Sequence, residues 1–505
     1  MTDMNTFLDR TPVIIGVGEI TQRSKDPAQA QEPLKLMEAA LRAADKDAGG
    51  NVLGLIDSLE VIQEFSWPYV DAPGRLADLL GINPAHRHYG PVGGETPVKF
   101  IHEAALRILR GECEAAAVVG AEAQYAVTAA TKNGLDLPWS PVDPNAKLIR
   151  GINYLNPVAV TLGVASPATV YPFYENAALA AWGQTPAAAA LESSELWARN
   201  SMVAQENPYA WSQQSFSAEE IVTPATDNRL VAWPYTKRMV ANPQVNQGAA
   251  VLLTSLGRAR QLGIPSDRLV HVWCGVAAQE PADYLSRDQY SRAAAQDAVL
   301  NGVLELVGDA GRFGALELYS CFPIVPKMAR RILALPANST VTCTGGLSFF
   351  GAPLNNYMTH ATAAMVRELR GQPKSLGLLY GQGGYLTKHH AIVLGSFASQ
   401  RCRLTDDYSV QSIADASRGP TPPLALEFTG QAVVETFTVL YARDGSVVRG
   451  VVIARTPDGG RLLASVDAQD ERSISALTNP QRSPIGCVGD VTLNTDGLQI
   501  WSISS

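Results

Sequence analysis

Short apolar runs of four to ten residues, separated by amphipathic stretches with a helical period, recur in two series along this chain. That pattern restricts the fold more than any other feature. Strands buried on both faces read as continuous Val, Ile and Ala runs, and the amphipathic helices between them cover the faces of an α/β sheet. The first series holds Val13 to Ile20, a helix from Pro33 to about Asp45, Ile56 to Gln63, a helix from Pro97 to Arg110, Ala115 to Ala123 and Ala249 to Ser255. The second holds Leu269 to Ala278, a helix near Ala293 to Leu306, Ala315 to Cys321, Thr340 to Thr344, a helix from Met358 to Arg370 and Ala391 to Ser396. Both series read strand, helix, strand, helix, strand, which predicts a duplicated α/β unit.

The first series is interrupted between about Gln124 and Val245 by a stretch rich in Pro, Trp, Tyr and Asn, including Asn207-Pro208-Tyr209-Ala210-Trp211 and Trp233-Pro234-Tyr235. An insertion of that length is expected to fold as a lid or substrate-facing subdomain, with one helix from about Glu175 to Ala204. After Ser396 a Pro-rich linker, Arg418-Gly419-Pro420-Thr421-Pro422-Pro423, leads into alternating runs at Ala432 to Tyr441, Val447 to Arg455 and Leu462 to Val466. Turn signals at Asp444-Gly445 and Asp458-Gly459-Gly460 separate them, which predicts a barrel of five or six strands. The expected organisation is therefore 1–125 and 246–265 for the first half, 126–245 for the insertion, 266–400 for the second half, 401–424 for a linker and 425–505 for the barrel.

A length of 505 residues calls for several domains, and 46% apolar with 17% charged residues is the balance of a fully folded globular chain. The net charge of −8 comes without a basic stripe, so no nucleic-acid footprint is read. The six cysteines lie far apart, with no CxxC pair and no His at ligand spacing, so no metal site is expected and a reduced, cytoplasmic setting is the economical reading. Met1 to Arg10 has no basic start or apolar core of a leader, and no run reaches the length of a membrane span. Gly16-Val17-Gly18 lacks the third glycine of a dinucleotide fingerprint and reads as a tight turn after the first strand. P-loop, GxSxG and HExxH motifs are absent from the sequence.

The order of segments over roughly Thr11 to Ser399 resembles the thiolase superfamily, closest to the sterol carrier protein thiolases and their catalytically divergent thiolase-like relatives. Arg110-Gly111 followed by Ala115 to Glu122, and Gln247-Gly248-Ala249 through Ser255, carry the resemblance. It implies a duplicated five-layer αβαβα fold with an inserted loop domain, followed here by a small OB-like barrel. It also implies an acetyl-CoA acetyltransferase-type ancestry in lipid metabolism, with coenzyme A as substrate or ligand, an acyl-CoA or β-keto acyl small molecule as partner, and no tightly bound cofactor. Thiolases commonly pair through sheet edges, so homodimer and monomer both stay open.

The family's catalytic positions depart together. Where a nucleophilic cysteine stands at a helix N-terminus, which lowers its pKa, this chain has Gly93-Gly94-Glu95-Thr96-Pro97. Glu95 reads either as a carboxylate base or as a helix cap. The His-Asp-Cys-Phe motif corresponds to Tyr319-Ser320-Cys321-Phe322, so a phenol replaces the histidine that holds the thioester oxygen, and Cys321 stands at an acid/base position or as inert packing. Gly-His-Pro becomes Gly351-Ala352-Pro353, and the final Cys-x-Gly-Gly-Gly-like loop becomes Tyr380-Gly381-Gln382-Gly383-Gly384. The resemblance thus nominates Tyr319, Cys321, Tyr380 and Glu95 as catalytic and Gly94, Gly351, Gly383 and Gly384 as substrate- or CoA-binding positions.

Without a thiolate and a base, ping-pong acetyl transfer is disfavoured. Three readings stand: non-covalent chemistry on a β-keto or β-hydroxy acyl thioester, as in the steroid side-chain aldolases that carry tyrosine at the histidine position; acyl-CoA or lipid binding without turnover; and C–C cleavage of an aryl β-keto acid with CoA as acceptor. Phe349 and Phe350 stand where those aldolases place their second tyrosine, which argues against a simple carry-over.

Overall fold

The computed structural model describes residues 9–24, 26–142, 144–146, 150–399 and 404–504. Cys402 and most of Met1 to Arg10 lie outside them. The strands are β1 (Pro12–Thr21), β2 (Ser58–Val61), β3 (His86–Tyr89), β4 (Ala115–Glu122), β5 (Leu230–Ala232), β6 (Tyr235–Thr236), β7 (Gln247–Ser255), β8 (Val270–Gln279), β9 (Phe313–Leu318), β10 (Leu376–Gly383), β11 (Lys388–Gly395), β12 (Gly430–Tyr441), β13 (Val447–Arg455), β14 (Arg461–Val466), β15 (Val488–Leu493) and β16 (Gln499–Ile503). The helices that matter below are α1 (Pro33–Asp47), α2 (Thr96–Arg110), α3 (Pro167–Ala181), α4 (Pro186–Glu206), α5 (Ala294–Val307), α6 (Ile324–Ile332), α7 (Tyr357–Arg370) and α8 (Gln411–Ser417).

The two series build one duplicated core. Strands run in the order β3-β2-β4-β7-β1-β8-β11-β10-β9, and the halves meet where Val13 and Ile14 of β1 pair with His271 and Val270 of β8. Helices α2 and α7 pack between the half-sheets, while α1 covers β1, β4 and β7 from one side and α5 covers β8 and β11 from the other. That is the expected five-layer arrangement. Helix α2 shows why a middle layer forms: Pro97 starts it, Gly111 ends it in the left-handed region, and Val98, Ile101, Ala105 and Ile108 bury one face.

Four local expectations change. Gly16 and Gly18 lie inside β1 rather than in a turn, because a Cβ at either would run into the backbone of α1 at Ala44 and Ala40. Residues 340–344 are not a strand; the Thr342 and Thr344 hydroxyls and the Cys343 and Thr344 amides turn instead to the buried Glu317 carboxylate. Leu376–Gly383 is a strand, β10, so Tyr380 is not in a loop. The expected helix over 175–204 is two helices, α3 and α4, broken where Gly183 takes φ 68°.

The C-terminal strands close into a five-stranded barrel, β12-β13-β14-β16-β15 and back to β12, with β5 of the insertion added at Leu440 and Ala232. The segment before it is not an extended tether. Helix α8 packs on α5, Tyr408 and Val410 bond to Ala277, and Arg418 reaches Glu280 at 2.9 Å. Among the described residues no helix is long and apolar enough to cross a membrane.

Candidate functional site

At the N-terminal end of α2, the Gly93-Gly94 segment meets the strand-end segment Tyr319–Phe322 and the β10–β11 hairpin. A cavity of about 440 Å³ opens there, lined among others by Gly94, Tyr319, Cys321, Gln382, Gly383 and Gly384. Helix α3 of the insertion supplies Pro167, Ala168 and Tyr171 to the wall, and Phe65, Phe322, Leu347 and Tyr385 make it strongly apolar. Among the described lining residues there is no carboxylate, lysine, arginine or histidine.

Tyr319, 7% exposed, presses its hydroxyl against Gly94 and the Gln382 carbonyl side of the wall. A Cβ at Gly94 would occupy the same space, so glycine here makes room for the phenol. The Tyr319 hydroxyl makes no hydrogen bond to another described side chain or backbone group, and burial keeps it protonated far above the ordinary phenol range. It is a neutral donor in the cavity wall.

Cys321 is a donor of a different kind. Its Sγ lies 3.6 Å from Gln382 Oε1, which also accepts from the Tyr171 hydroxyl at 2.7 Å, while Gln382 Nε2 is tied to the Gly383 carbonyl at 2.6 Å. The amide oxygen therefore faces the thiol, and burial pushes the thiol up to about 12. A group so placed stays an S–H at neutral pH. Gln382 and Tyr171 were not apparent from the sequence, since their roles depend on the insertion folding back over the hairpin.

Three nominated residues stand away from the cavity. Tyr380 is fully buried in β10, hydrogen-bonded to His389 Nδ1 at 2.7 Å with the two rings stacked. Gly351 packs against Gln247 and Val245. Glu95 caps nothing: it sits at the head of α2 without bonding an amide there, and its carboxyl turns behind Gly93 and Gly383 toward Lys388, 3.7 Å away. Burial raises its pKa, and Oε2 has no hydrogen-bond partner. Gly383 lacks a side chain because that carboxyl lies in its place.

Two further polar contacts fix the wall. Asn355 accepts the Gly93 amide at 3.0 Å and donates to the Gln63 carbonyl at 2.8 Å, locking the glycine segment to β2's exit loop. Glu122 accepts the amides of Phe65 and Ser66 at 2.8 and 2.9 Å, which aims Phe65 at the cavity. The neighbouring histidines diverge as their strand predicts: His390 turns to His102, 2.9 Å away, and His389 to Tyr380. No group of metal-ligating side chains occurs among the described residues.

A family model described as the additional C-terminal domain of thiolase-like protein type 1 matches residues 410–497. Among solved structures, the chain is similar to a monomeric SCP2-thiolase-like protein type 1 from Mycobacterium smegmatis, with 28% identity over 98% of this chain and 99% of that one and a TM-score of 0.83. The chain has a thiolase-like fold with an added C-terminal domain. Two more distant likenesses concern the fold alone. The Ltp2-ChsH2(DUF35) aldolase shares 18% identity over 77% of this chain and 98% of that one, with a TM-score of 0.59. Human mitochondrial 3-ketoacyl-CoA thiolase in complex with CoA shares 15% over 77% and 99%, with a TM-score of 0.53. No curated protein matches the sequence.

Proposed function

We propose that this thiolase-like protein takes a CoA-linked acyl or β-keto acyl group into the cavity and holds it without forming an acyl-enzyme. The observation that carries this reading is the neutrality of the wall: its polar groups are Tyr319, Cys321, Gln382, Tyr171, Tyr385, Asn355 and Ser166, and none is a charged residue. The thiol is a hydrogen-bond donor with its pKa near 12, so thioester attack by a thiolate has no support. In this reading Tyr319 donates to the thioester carbonyl, and the aromatic wall suits an apolar acyl or aryl group. Coenzyme A is the carrier that a thiolase-like fold suggests. The buried thiols Cys113 and Cys321, neither in a disulfide, accord with a reduced, cytoplasmic setting.

Calorimetric titration with acetoacetyl-CoA and with a β-hydroxyacyl-CoA tests this. Binding is expected, weakened about fivefold by Tyr319→Phe, the size of one hydrogen bond to a neutral carbonyl. A stable acyl adduct on Cys321 by mass spectrometry, or failure of both thioesters to bind, overturns the reading.

The Tyr319 hydroxyl, without a hydrogen bond to another described group, favours a second reading, C–C cleavage in which the phenol stabilises the enolate that leaves. In the retro-aldol case the β-hydroxyl gives its proton to solvent as the Cα–Cβ bond breaks. In the retro-Claisen case free CoA adds through its thiol to the β-carbonyl and keeps that acyl group. Water returns a proton to the enolate carbon. Turnover of the β-hydroxyacyl or acetoacetyl thioester that disappears in Tyr319→Phe would select it over binding alone.

A further inference from the structure

The barrel contributes no residue to the cavity, yet a buried relay runs from it to the cavity wall. Arg461 opens β14 with a fully buried side chain. Glu435 on β12 holds one edge of its guanidinium with both carboxylate oxygens, at 2.9 Å from Nε and 2.7 Å from Nη2. The remaining nitrogen leaves the barrel and donates to the carbonyls of Leu285, at 2.9 Å, and Arg287. The ring of Tyr290 packs beneath the same cation, 4.8 Å away.

Arg287 passes the constraint on. Its own side chain, also fully buried, donates to the carbonyls of Tyr385, at 3.1 Å, and Leu386, and faces Glu280 at 3.5 Å. Those two carbonyls belong to the turn between β10 and β11. The turn holds Leu386 at φ 57°, a left-handed conformation that costs a bulky residue free energy unless its surroundings impose it. Gly383, Gly384 and Tyr385, the residues leading into it, line the cavity. Tyr174 and Tyr171 of α3 also bond this turn, and α3 is itself pinned to the barrel by Thr436 Oγ1 to the Phe173 carbonyl and Asn176 Nδ2 to the Phe437 carbonyl, the latter at 2.8 Å.

We propose that the C-terminal barrel completes the cavity at a distance, with Arg461 as a positioning residue that fixes the Leu285–Arg287 backbone so that Arg287 holds the strained hairpin turn against the ligand. A barrel residue thus sets the shape of a pocket it does not touch. The effect on ligand affinity rests on the acyl-thioester reading above; the effect on the wall does not, and the two are separable by experiment.

In the full chain, the rate at which N-ethylmaleimide modifies Cys321, read by peptide mass spectrometry, reports opening of the wall without any CoA ester. Arg461→Ala is expected to raise that rate about tenfold or more, with Arg461→Lys between the two because an ammonium still reaches one carbonyl. Arg455→Ala is the control. Arg455 shares Glu435 and reaches the Asp288 carbonyl at 3.1 Å but bonds neither Leu285 nor Arg287, so its rate should stay at the wild-type value. If Arg461→Ala does not fold, Glu435→Gln, which keeps the shape and removes the ionic clamp, should shift the rate in the same direction. An unchanged rate in the folded variant, or an equal rise in Arg455→Ala, overturns the proposal. Affinity for acetoacetyl-CoA should fall in parallel; faster modification without any CoA-ester binding in wild type would retain the relay and reject the acyl-thioester reading.

Discussion

Gly94 and Tyr319 exclude each other's alternatives: the space a Cβ would fill at the head of α2 is taken by the phenol. Gly94→Ala should therefore push Tyr319 or the Gln382 carbonyl aside at a cost of about 1–3 kcal/mol, and weaken thioester binding more than Tyr319→Phe does. Affinity by calorimetry, with unfolding midpoints to separate lost stability from lost binding, decides it; an affinity equal to wild type would refute the steric argument. Cys321 gives a second residue-scale prediction. With its thiol pushed up to about 12, the rate of alkylation should climb about tenfold per pH unit from 7 to 10 without levelling, whereas an activated thiol would plateau below 8. The sequence disclosed the replacement of cysteine by Gly94-Glu95 and of histidine by Tyr319, because those are substitutions within a short motif. It did not disclose that Glu95 points away from the cavity. That orientation comes from Gly383 and Lys388, nearly three hundred residues later, and no local pattern encodes it.

At the level of elements, the insertion is fastened to the second half of the core by a buried ion pair. Lys327 of α6 meets Glu175 of α3, both fully buried, with Ser193 Oγ of α4 at 2.9 Å from the ammonium and the Tyr235 hydroxyl donating to Glu175 at 2.8 Å. Removing one charge strands the other. Lys327→Met is expected to destabilise by roughly 3–5 kcal/mol, and the added Glu175→Gln to recover much of that, because breaking a buried pair costs more than replacing it. Urea unfolding of the single and double variants measures this; a double variant no more stable than Lys327→Met would show that packing, not charge, makes the loss. The same scale explains which elements were legible. Strands such as Ala115–Glu122 announce themselves by unbroken apolar runs. Strand β10 hides behind Gly377, Gly381 and Gly383, which are glycines because Met365 of α7, Val98 of α2 and Glu95 just ahead of α2 press on those positions. The closeness of a partner erased the signal that would have named the strand. The barrel was legible from its alternation, while its fifth-strand closure and the pairing of β5 with β12 depend on residues far apart in sequence.

For the whole molecule, burial of ionisable groups sets two opposed pH limits. His102 and His271 are lowered to about 4, and His360 and His389 to about 3, in each case by desolvation. The unfolded chain binds protons on these rings below the ordinary histidine pKa while the native state does not, so their contribution to stability falls as pH drops below about 6.5. Glu60 and Glu64 are raised to about 7 and Glu122 to about 8, again by desolvation first, which reverses the sign. Here the native state keeps protons that the unfolded chain has released, so stability falls as pH rises from about 5 toward 8. For these seven groups the two limbs cross at about pH 6, where they bind similar numbers of protons in the native and unfolded states and their combined contribution to stability is greatest. Glu122→Gln removes the most strongly raised of the three carboxyls while leaving an acceptor for the Phe65 or Ser66 amide. It should flatten the alkaline limb and move the maximum upward, with the acid side steeper between about pH 5 and 6.5 because the opposing Glu122 proton is gone. Chemical unfolding between pH 4.5 and 9 on wild type and this variant makes the measurement, and a wild-type stability that stays level from pH 6 to 8 would show that these carboxyls ionise in place.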